Sequence, residues 1–572
     1  MLNFDELRSR LPIANAGFGF LRERGLRYVD KTGFVYKLAL DNQPRILTRP
    51  RRFGKSTLLS TVEELFLHSL EPYDGHDSYF KGLSIEKTWQ DHGNYPVLHL
   101  DFYGLNLQCP DFETFERKVN AALDEFAEAQ GLKISTSFQD FSAHFGALLK
   151  QLPDYSLVLL VDEFDSPLVH RLRETEELQK ASAFMQGLFG MVKQYAGKFR
   201  CVFFTGITRF QDLGLGTAGN GFTDISMAPS FAACCGYTRE ELKHCFADHL
   251  RYAAAVRLGI RDEEVTEENV ESLLDEMSSW YDGYSFDGRQ KVRVFSTWSV
   301  LRFFADEEAV LQPYWSSEEG LGLPQLLKLS LDRINAGELL KEVSSGELEV
   351  SARQFIQSSL INPRANPYSL MFQTGYLTLK TPFTLSGTLH LDCPNKEISM
   401  AFANLVGLSL FRKEEDRFTE NYSEKTVAVL KSLDPEKLRS YFNDLFAAIP
   451  YEHYPVTDEA TVGALIDFNL RGAGLKPRPQ QLSSTGRADT VLDLPQDNLT
   501  LVFEYKYEES ADDRRLDARL EEAITQVRER KYGLNDGSRA RVVRFAMVFC
   551  AAKDRRCLER MALVDVQQRQ LT

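Results

Sequence analysis

The sequence contains neither a CxxC pair nor an HExxH motif. Its eight cysteines and ten histidines are scattered, which removes the spacings by which zinc sites are usually read. Cys234 and Cys235 are adjacent, and free thiols in a reducing cytoplasm are the expected state of all eight. Long apolar runs are also missing. The longest, at 157–161 and 545–552, have the length of core strands and fall far short of the roughly 20 residues that a membrane helix needs. Residues Met1 to Glu6 have no basic or greasy segment, so no signal peptide is expected. Positive charge is in deficit: 67 Lys and Arg stand against 82 Asp and Glu, for a formal net charge of −15. That balance argues against coating nucleic acid with the whole surface, because such binding neutralises phosphates. A local basic channel is still possible. Between Arg514 and Arg544 nine Lys/Arg face five Asp/Glu, which reads equally well as a solvated helix face. What is plentiful is core material, 43% hydrophobic and 12% aromatic, over 572 residues, enough for about three domains.

One further absence lies inside a motif. The β-like run Arg45-Ile46-Leu47 leads into Thr48-Arg49-Pro50-Arg51-Arg52-Phe53-Gly54-Lys55-Ser56-Thr57 and then into a helical pattern at Leu58, Leu59, Val62 and Leu65. Gly-Lys-Ser at a strand-to-helix turn is the end of a phosphate-binding loop. The glycine lets backbone N–H groups curl around phosphate, the lysine reaches the outer phosphates, and the hydroxyl ligates Mg²⁺. The pattern also wants a glycine five residues before Gly54, where Arg49 stands. Taken alone, Gly54-Lys55-Ser56 is weak evidence, and the stretch Phe53 to Thr57 fits a basic turn before a helix better than a nucleotide site.

The next 150 residues favour the nucleotide site. Apolar strands are expected at Tyr95–Phe102, Leu157–Val161 and Cys201–Gly206, separated by helices near 111–131, 139–151 and 175–195. Apolar rather than alternating strands between helices indicate a parallel sheet covered on both faces, and ligands of such sheets sit at the strands' carboxyl ends. Lys55, Asp162, Glu163 and Thr205 all fall there. Asp162 is placed to hold Mg²⁺ through water, and Glu163 to orient or deprotonate an attacking water. Thr205 and Thr208 are candidates to hydrogen-bond that water or the γ-phosphate, and Arg209 to neutralise developing charge. The expected cofactors are ATP and Mg²⁺.

Four stretches, Tyr28-Val29-Asp30-Lys31-Thr32, Arg49 to Ser56, Pro96 to Asp101 and Val161-Asp162-Glu163-Phe164-Asp165, resemble the bacterial AAA-ATPase-like P-loop family. In that family Arg-Pro-Arg-Arg-Phe-Gly-Lys-Ser is the usual phosphate loop, so the missing first glycine is a family trait. The resemblance implies an ATPase sheet with an added strand and a catalytic glutamate over residues 1–230. Arg49, Arg51, Arg52 and Arg209 are candidates for an arginine finger should the protein form a homo-oligomer.

Residues 231–330 are expected to form a helical lid, with Thr238 as an N-cap ahead of Glu240-Glu241. The aromatic turn Trp280 to Gly288 is read as pinning a turn against a core in preference to stacking bases. It resembles the same family, as do Pro313-Tyr314-Trp315 and Phe372 to Leu377. Residues 331–450 form a mixed connecting region whose boundaries no linker marks.

Near the carboxyl end, Gly486-Arg487-Ala488-Asp489 opens a strand, Pro495 to Asn498 turns it, and Leu499 to Lys506 returns. Alternation along a strand puts Glu504 and Lys506 on one face, and Asp489 meets that face if the register allows. Two carboxylates then bind Mg²⁺, and the lysine positions and activates a water. Asp…Glu-x-Lys resembles the PD-(D/E)XK nuclease superfamily, which implies a restriction-endonuclease-like α/β domain over 451–572. In that group an additional acidic ligand often lies on a preceding helix, here Glu459, and Gly486-Arg487 together with Glu522, Ala523, Gln526 and Tyr532 match its pattern. Gln480 or Gln481, and Thr461 and Val462, depart from it, which bears on Glu459 more than on Asp489, Glu504 and Lys506.

The expected protein is therefore an α/β chain without a membrane part. A P-loop NTPase sheet with a helical lid precedes a nuclease-like domain that acts on nucleic acid, DNA before RNA. The alternative is a nucleotide-gated docking protein whose nuclease fold has lost cleavage.

Overall fold

The structure, a computed structural model, describes residues 2–567 apart from 14–16, 135–139, 173, 210–220, 316–341, 343–347, 358–365, 383–386, 412–419, 449–455, 484–485, 531–540 and 553–554. The chain divides into two compact units. The first takes in residues 1–323 and 350–389, the second 324–349 and 390–572. The stretch 331–450 is thus shared between them.

The first unit is built on five strands: β1 (Arg45–Thr48), β2 (Val97–Asp101), β3 (Leu157–Asp162), β4 (Phe199–Gly206) and β5 (Thr223–Asp224). All pair in parallel, in the order β2-β3-β4-β1-β5. Every residue of β3 and β4 is buried, as continuous apolar runs predict for strands covered on both sides. Helices α1 (Thr32–Ala39) and α2 (Lys55–His68) cover one face. Helices α3 (Phe112–Ala129), α4 (Phe141–Gln151) and α5 (Thr175–Gln194) cover the other. Phe112, Phe115, Phe141 and Phe184 interlock at the centre of that second layer. Asp111 and Asp140 begin α3 and α4 as N-caps, accepting from the backbone N–H of Thr114 (2.8 Å) and Ala143 (2.9 Å).

The expected lid is a second core within this unit. Helices α6 (Arg239–Cys245), α7 (Ala247–Leu258), α8 (Glu267–Tyr281) and α9 (Thr297–Phe304) pack around Leu250, Leu274, Met277 and Phe304, and Leu11 and Val29 join them from the amino-terminal segment. Thr238 does cap α6, in a reciprocal box with Glu241. The aromatic turn is internal: Tyr281, Tyr284 and Phe286 are buried, and Tyr284 and Phe286 meet the ring of Phe53 edge-on at 4.7 and 5.6 Å.

The second unit carries a mixed sheet of β6 (Arg478–Ser483), β7 (Gly486–Leu494), β8 (Leu499–Glu508), β9 (Arg541–Ala552) and β10 (Arg555–Gln567), with neighbours in sequence order. β6, β7 and β8 form an antiparallel meander, β8 pairs with β9 in parallel across helix α15 (Asp513–Arg530), and β10 returns antiparallel. Helix α14 (Glu459–Gly472) precedes the sheet and packs on β8, where Gly463 lets it approach: a Cβ there would stand 3.2 Å from the ring of Tyr505. Helices α10 (Pro367–Thr374) of the first unit and α11 (Lys396–Phe411), α12 (Glu420–Ser432) and α13 (Pro435–Ala448) of the second complete the named elements. Tyr532 and the side chains of Gln480, Gln481 and Arg487 lie outside the described residues. Among the described residues no helix is long and apolar enough to cross a membrane.

Candidate functional site

The phosphate loop runs from the end of β1 to the start of α2, and its backbone takes the left-handed conformation twice, at Arg52 (φ +67°) and Gly54 (φ +88°). A Cβ on Gly54 would meet nothing closer than 3.9 Å, so the glycine is needed for its torsion and not for space. At the position where the motif usually has glycine, Arg49 is 1% exposed and turned beneath the loop. Its guanidinium donates to the carbonyls of Thr48 (2.9 Å), Ser226 (2.6 Å) and Phe231 (3.0 Å) and lies over the ring of Phe286 at 4.2 Å. Arg49 is therefore a strut of the loop, and an arginine finger would have to come from elsewhere.

Lys55 points back along the loop, its ammonium donating to the carbonyls of Arg49 (3.2 Å) and Pro50 (3.1 Å). Phe53, Gly54, Lys55, Ser56 and Thr57 line a cavity of about 430 Å³, and Glu163 lines it from the end of β3. β4 lies between β1 and β3, so an inserted strand sets Lys55 and Glu163 apart while both face the same space. Glu163 has φ +46°, a turn that bends its carboxyl toward the cavity and away from the strand direction. Burial, with Asp165 and Asp162 nearby, pushes its pKa up to about 7 against the pull of Lys55 and Arg51.

Asp162 is held from two sides, its Oδ1 accepting from the Thr205 hydroxyl and from the Glu163 N–H at 2.9 Å. Thr208 donates its N–H and its hydroxyl to Asp165 Oδ2, each at 2.9 Å. The two threonines thus orient acids. Arg209 is buried, its Nε 3.4 Å from Asp224 and its guanidinium over the ring of Phe355. Arg52 donates to the Trp315 carbonyl (2.7 Å) and lies over the Trp298 ring. Of the four candidate fingers, Arg51 and Arg52 line the cavity.

Several participants were not singled out from the sequence. Ile13, Leu21, Val29, Trp298 and Leu301 add apolar side chains to the lining of the same cavity. Thr297 donates its hydroxyl, and Trp298 its backbone N–H (3.3 Å), to the Arg52 carbonyl. Gly375, at φ +94°, lets its turn rest on the loop, since a Cβ there would stand 2.9 Å from Cβ of Pro50. Only the Tyr28–Thr32 and Phe372–Leu377 motifs hinted at these contacts.

In the second unit the register settles the hairpin. Thr490 opposes Phe503, so Asp489 falls level with Glu504, and Asp489 Oδ2 accepts the Tyr505 N–H at 2.7 Å. Glu504 is fully buried, with Oε1 3.4 Å from the Lys506 ammonium and, among the described residues, no hydrogen-bond partner on Oε2. The same ammonium lies 3.6 Å from Glu459 Oε2 at the start of α14. Burial, reinforced by Asp489 and Glu459, pushes Glu504 up to about 8 despite Lys506. Burial works against the charge of Lys506, but Glu459, Glu504 and Asp489 outweigh it and raise its pKa. Behind the hairpin, Asp467 accepts from the Thr490 hydroxyl at 3.0 Å and is pushed by burial up to about 7.

Glu459, Asp489, Glu504 and Lys506 are therefore brought together. Hard carboxylate oxygens with one unpartnered oxygen suit Mg²⁺ as a donor set. Among the described residues, however, no three His, Cys, Asp or Glu side chains already converge on one point.

Residues 12–216 match the family model described as "Predicted AAA-ATPase". That span runs from the cavity-lining Pro12 through β4, and includes Lys55 and Glu163. A protein of Azotobacter chroococcum mcd 1, described as an uncharacterized protein in the vnfD 5′ region, is 28% identical over 497 residues, covering 85% of this chain and 87% of that protein. An alignment of that length exceeds the first unit and must reach into the second.

Proposed function

We propose that the first unit binds and hydrolyses ATP. The observation that carries this reading is the single cavity shared by Lys55, Ser56 and Glu163 at the carboxyl ends of a parallel sheet. The triphosphate would lie along the loop's N–H groups and the positive end of α2, with the base against the apolar lining supplied by Val29, Trp298 and Leu301. Lys55 exchanges two backbone carbonyls for phosphate oxygens. Ser56 would hold the accompanying Mg²⁺, with Asp162 behind it; bound there, the ion neutralises charge on the outer phosphates. Thr205 and the Glu163 N–H keep Asp162 aimed, and Glu163 accepts the proton of the attacking water. A carboxylate with a pKa near the working pH is the efficient choice for that transfer. Calorimetry with Mg·ATP tests the reading. Heat is expected from the intact protein and should be lost in Lys55→Ala; no heat from the intact protein refutes it.

For the second unit we propose metal-dependent cleavage of a nucleic-acid phosphodiester, DNA before RNA. Asp489 and Glu504 would hold Mg²⁺, which supplies charge neutralisation at the phosphate. Glu504 must release its proton first, and Lys506 then serves as the cation that orients water. A specific observation favours the docking alternative: the acids do not converge among the described residues, and Lys506 stands between Glu504 and Glu459. Incubation with DNA or RNA in Mg²⁺ or Mn²⁺, beside Asp489→Ala and Lys506→Ala, separates the two readings. Cutting that both variants abolish supports the nuclease; no cutting under any condition supports docking. Nucleotide is proposed to gate the second unit, and equal cleavage rates with and without ATP would remove that coupling.

A further inference from the structure

The cavity has a chemical feature that the ATPase reading does not use. Cys234 and Cys235 both line it, and they are 1% and 2% exposed. Their turn is fixed to the phosphate loop by the Gly236 N–H, which donates to the Phe53 carbonyl at 2.9 Å. Lys31 donates to the Ala233 carbonyl at 2.8 Å on the other side. The Arg49 guanidinium, already anchored to three carbonyls, lies 3.9 Å from the sulfur of Cys234. Burial raises the Cys234 pKa, but the Cys235 hydrogen bond, Arg49 and Lys31 together pull it below the ordinary thiol range, while Cys235 is driven well above it. One sulfur is therefore held toward thiolate by a fixed cation and a neighbouring donor, which is how a reactive cysteine differs from a structural one.

We infer that Cys234 is a thiol-modification site of the phosphate-loop cavity: it reacts with a low-molecular-weight disulfide, and the attached group closes the cavity to nucleotide. In the step, the Cys234 thiolate attacks one sulfur of R–S–S–R. A new sulfur–sulfur bond joins Cys234 to R–S as the old one breaks, and the departing R–S⁻ takes a proton from water. The disulfide supplies the oxidation and no other oxidant enters. Arg49 steadies the thiolate without moving, because its other hydrogen bonds hold it. The group R must then occupy the space beside Lys55 and Ser56. Reactivity at Cys234 is independent of the ATPase reading; the exclusion of nucleotide rests on it.

The test uses the full chain and 4,4′-dithiodipyridine, following thione release and mapping the adduct by mass spectrometry. A single fast thiol is expected at Cys234, on the order of tenfold faster than the other seven cysteines. It should vanish in Cys234→Ser and persist in Cys235→Ser, whose hydroxyl still donates. Saturating Mg·ATP should slow the fast phase at least tenfold, and the adduct should weaken Mg·ATP binding by a similar factor. No fast phase, a fast phase at another cysteine, or all thiols reacting together overturns the inference. Mg·ATP binding by calorimetry with neither protection nor exclusion overturns the site's role at the cavity. Absence of Mg·ATP binding refutes the ATPase reading and with it the exclusion, while the wild-type and Cys234→Ser rates still decide whether Cys234 is the reactive thiol.

Discussion

Each unit brings a glutamate and a lysine to one site, half-buried Glu163 with Lys55 and fully buried Glu504 with Lys506, but the two arrangements differ. At the phosphate loop the ammonium of Lys55 is held by backbone carbonyls and Glu163 faces it across open space. At the carboxyl-terminal hairpin Lys506 lies directly against Glu504 and Glu459. A carbonyl is a neutral partner that a phosphate oxygen can replace with a gain in Coulomb energy. A carboxylate has to be neutralised or displaced before the lysine can act on anything else. The first site is thus prepared for a polyanion, whereas the second must reorganise or lose a proton to accept its ligand.

The sharpest way to break this contrast is at the glutamates. Glu163→Gln should keep Mg·ATP binding and lower turnover by about 10²–10⁴-fold, the usual contribution of a general base. With Glu163 raised to about 7, the wild-type rate should rise with pH through that value, because only the ionised form accepts a proton. Steady-state phosphate release across pH 5.5–8.5 checks both outcomes. A pH-independent rate would assign the base elsewhere.

The lysines come next. Lys506→Ala leaves Glu504 buried without its cation, so the thermal transition of the second unit should fall by about 1–3 kcal/mol in stability. Lys55→Ala removes donors only from two carbonyls at the edge of a cavity that water can enter. Its expected cost is under about 1 kcal/mol. Differential scanning calorimetry of the two variants makes the comparison directly, and equal losses would contradict it.

Much of this was legible along the chain because local rules govern it. Gly54-Lys55-Ser56, the acids ending β3, and the alternation that pairs Glu504 with Lys506 follow from short-range pattern. What hid was long-range. Arg49 reads as a free cation near phosphate, and only the fold reveals the carbonyls of Ser226 and Phe231 that hold it. Gly375 lies 325 positions from Pro50 in sequence yet needs its missing Cβ because of it. The return of 350–389 to the first unit, and the last strand β10, likewise depend on distant partners that no periodicity encodes.

A pH titration of stability sharpens the picture of the second unit. Asp467 is pushed up to about 7 by burial, against about 3.9 in an unfolded chain. The folded state binds the extra proton, so its contribution is fully present below about pH 4 and is lost as pH rises through 7. Asp467→Asn keeps an acceptor for Thr490 and should lessen the fall in stability by up to about 1.4 kcal/mol per pH unit between pH 5 and 7. Urea unfolding at several pH values gives that slope. An unchanged slope would mean that Asp467 is ionised in the folded protein. Glu504, raised in the same direction, contributes to the dependence that remains.

The smallest effect is expected at Glu459, and it is informative for that reason. Its side chain is 43% exposed and 3.6 Å from Lys506, a separation and a setting in which solvent screens most of the attraction. As an ion pair alone, Glu459→Gln should change stability by no more than about 0.5–1 kcal/mol. As a third acidic ligand, the same substitution should weaken Mn²⁺ binding to the full chain by about 10–100-fold, a change that isothermal titration detects without any cleavage. A variant with ordinary stability and ordinary Mn²⁺ affinity would confine the acidic set to Asp489 and Glu504. Glu459 would then be left with the lesser task of holding Lys506 in place, and the second unit would still contrast with the first, its lysine held on one side by a carboxylate that no ligand requires.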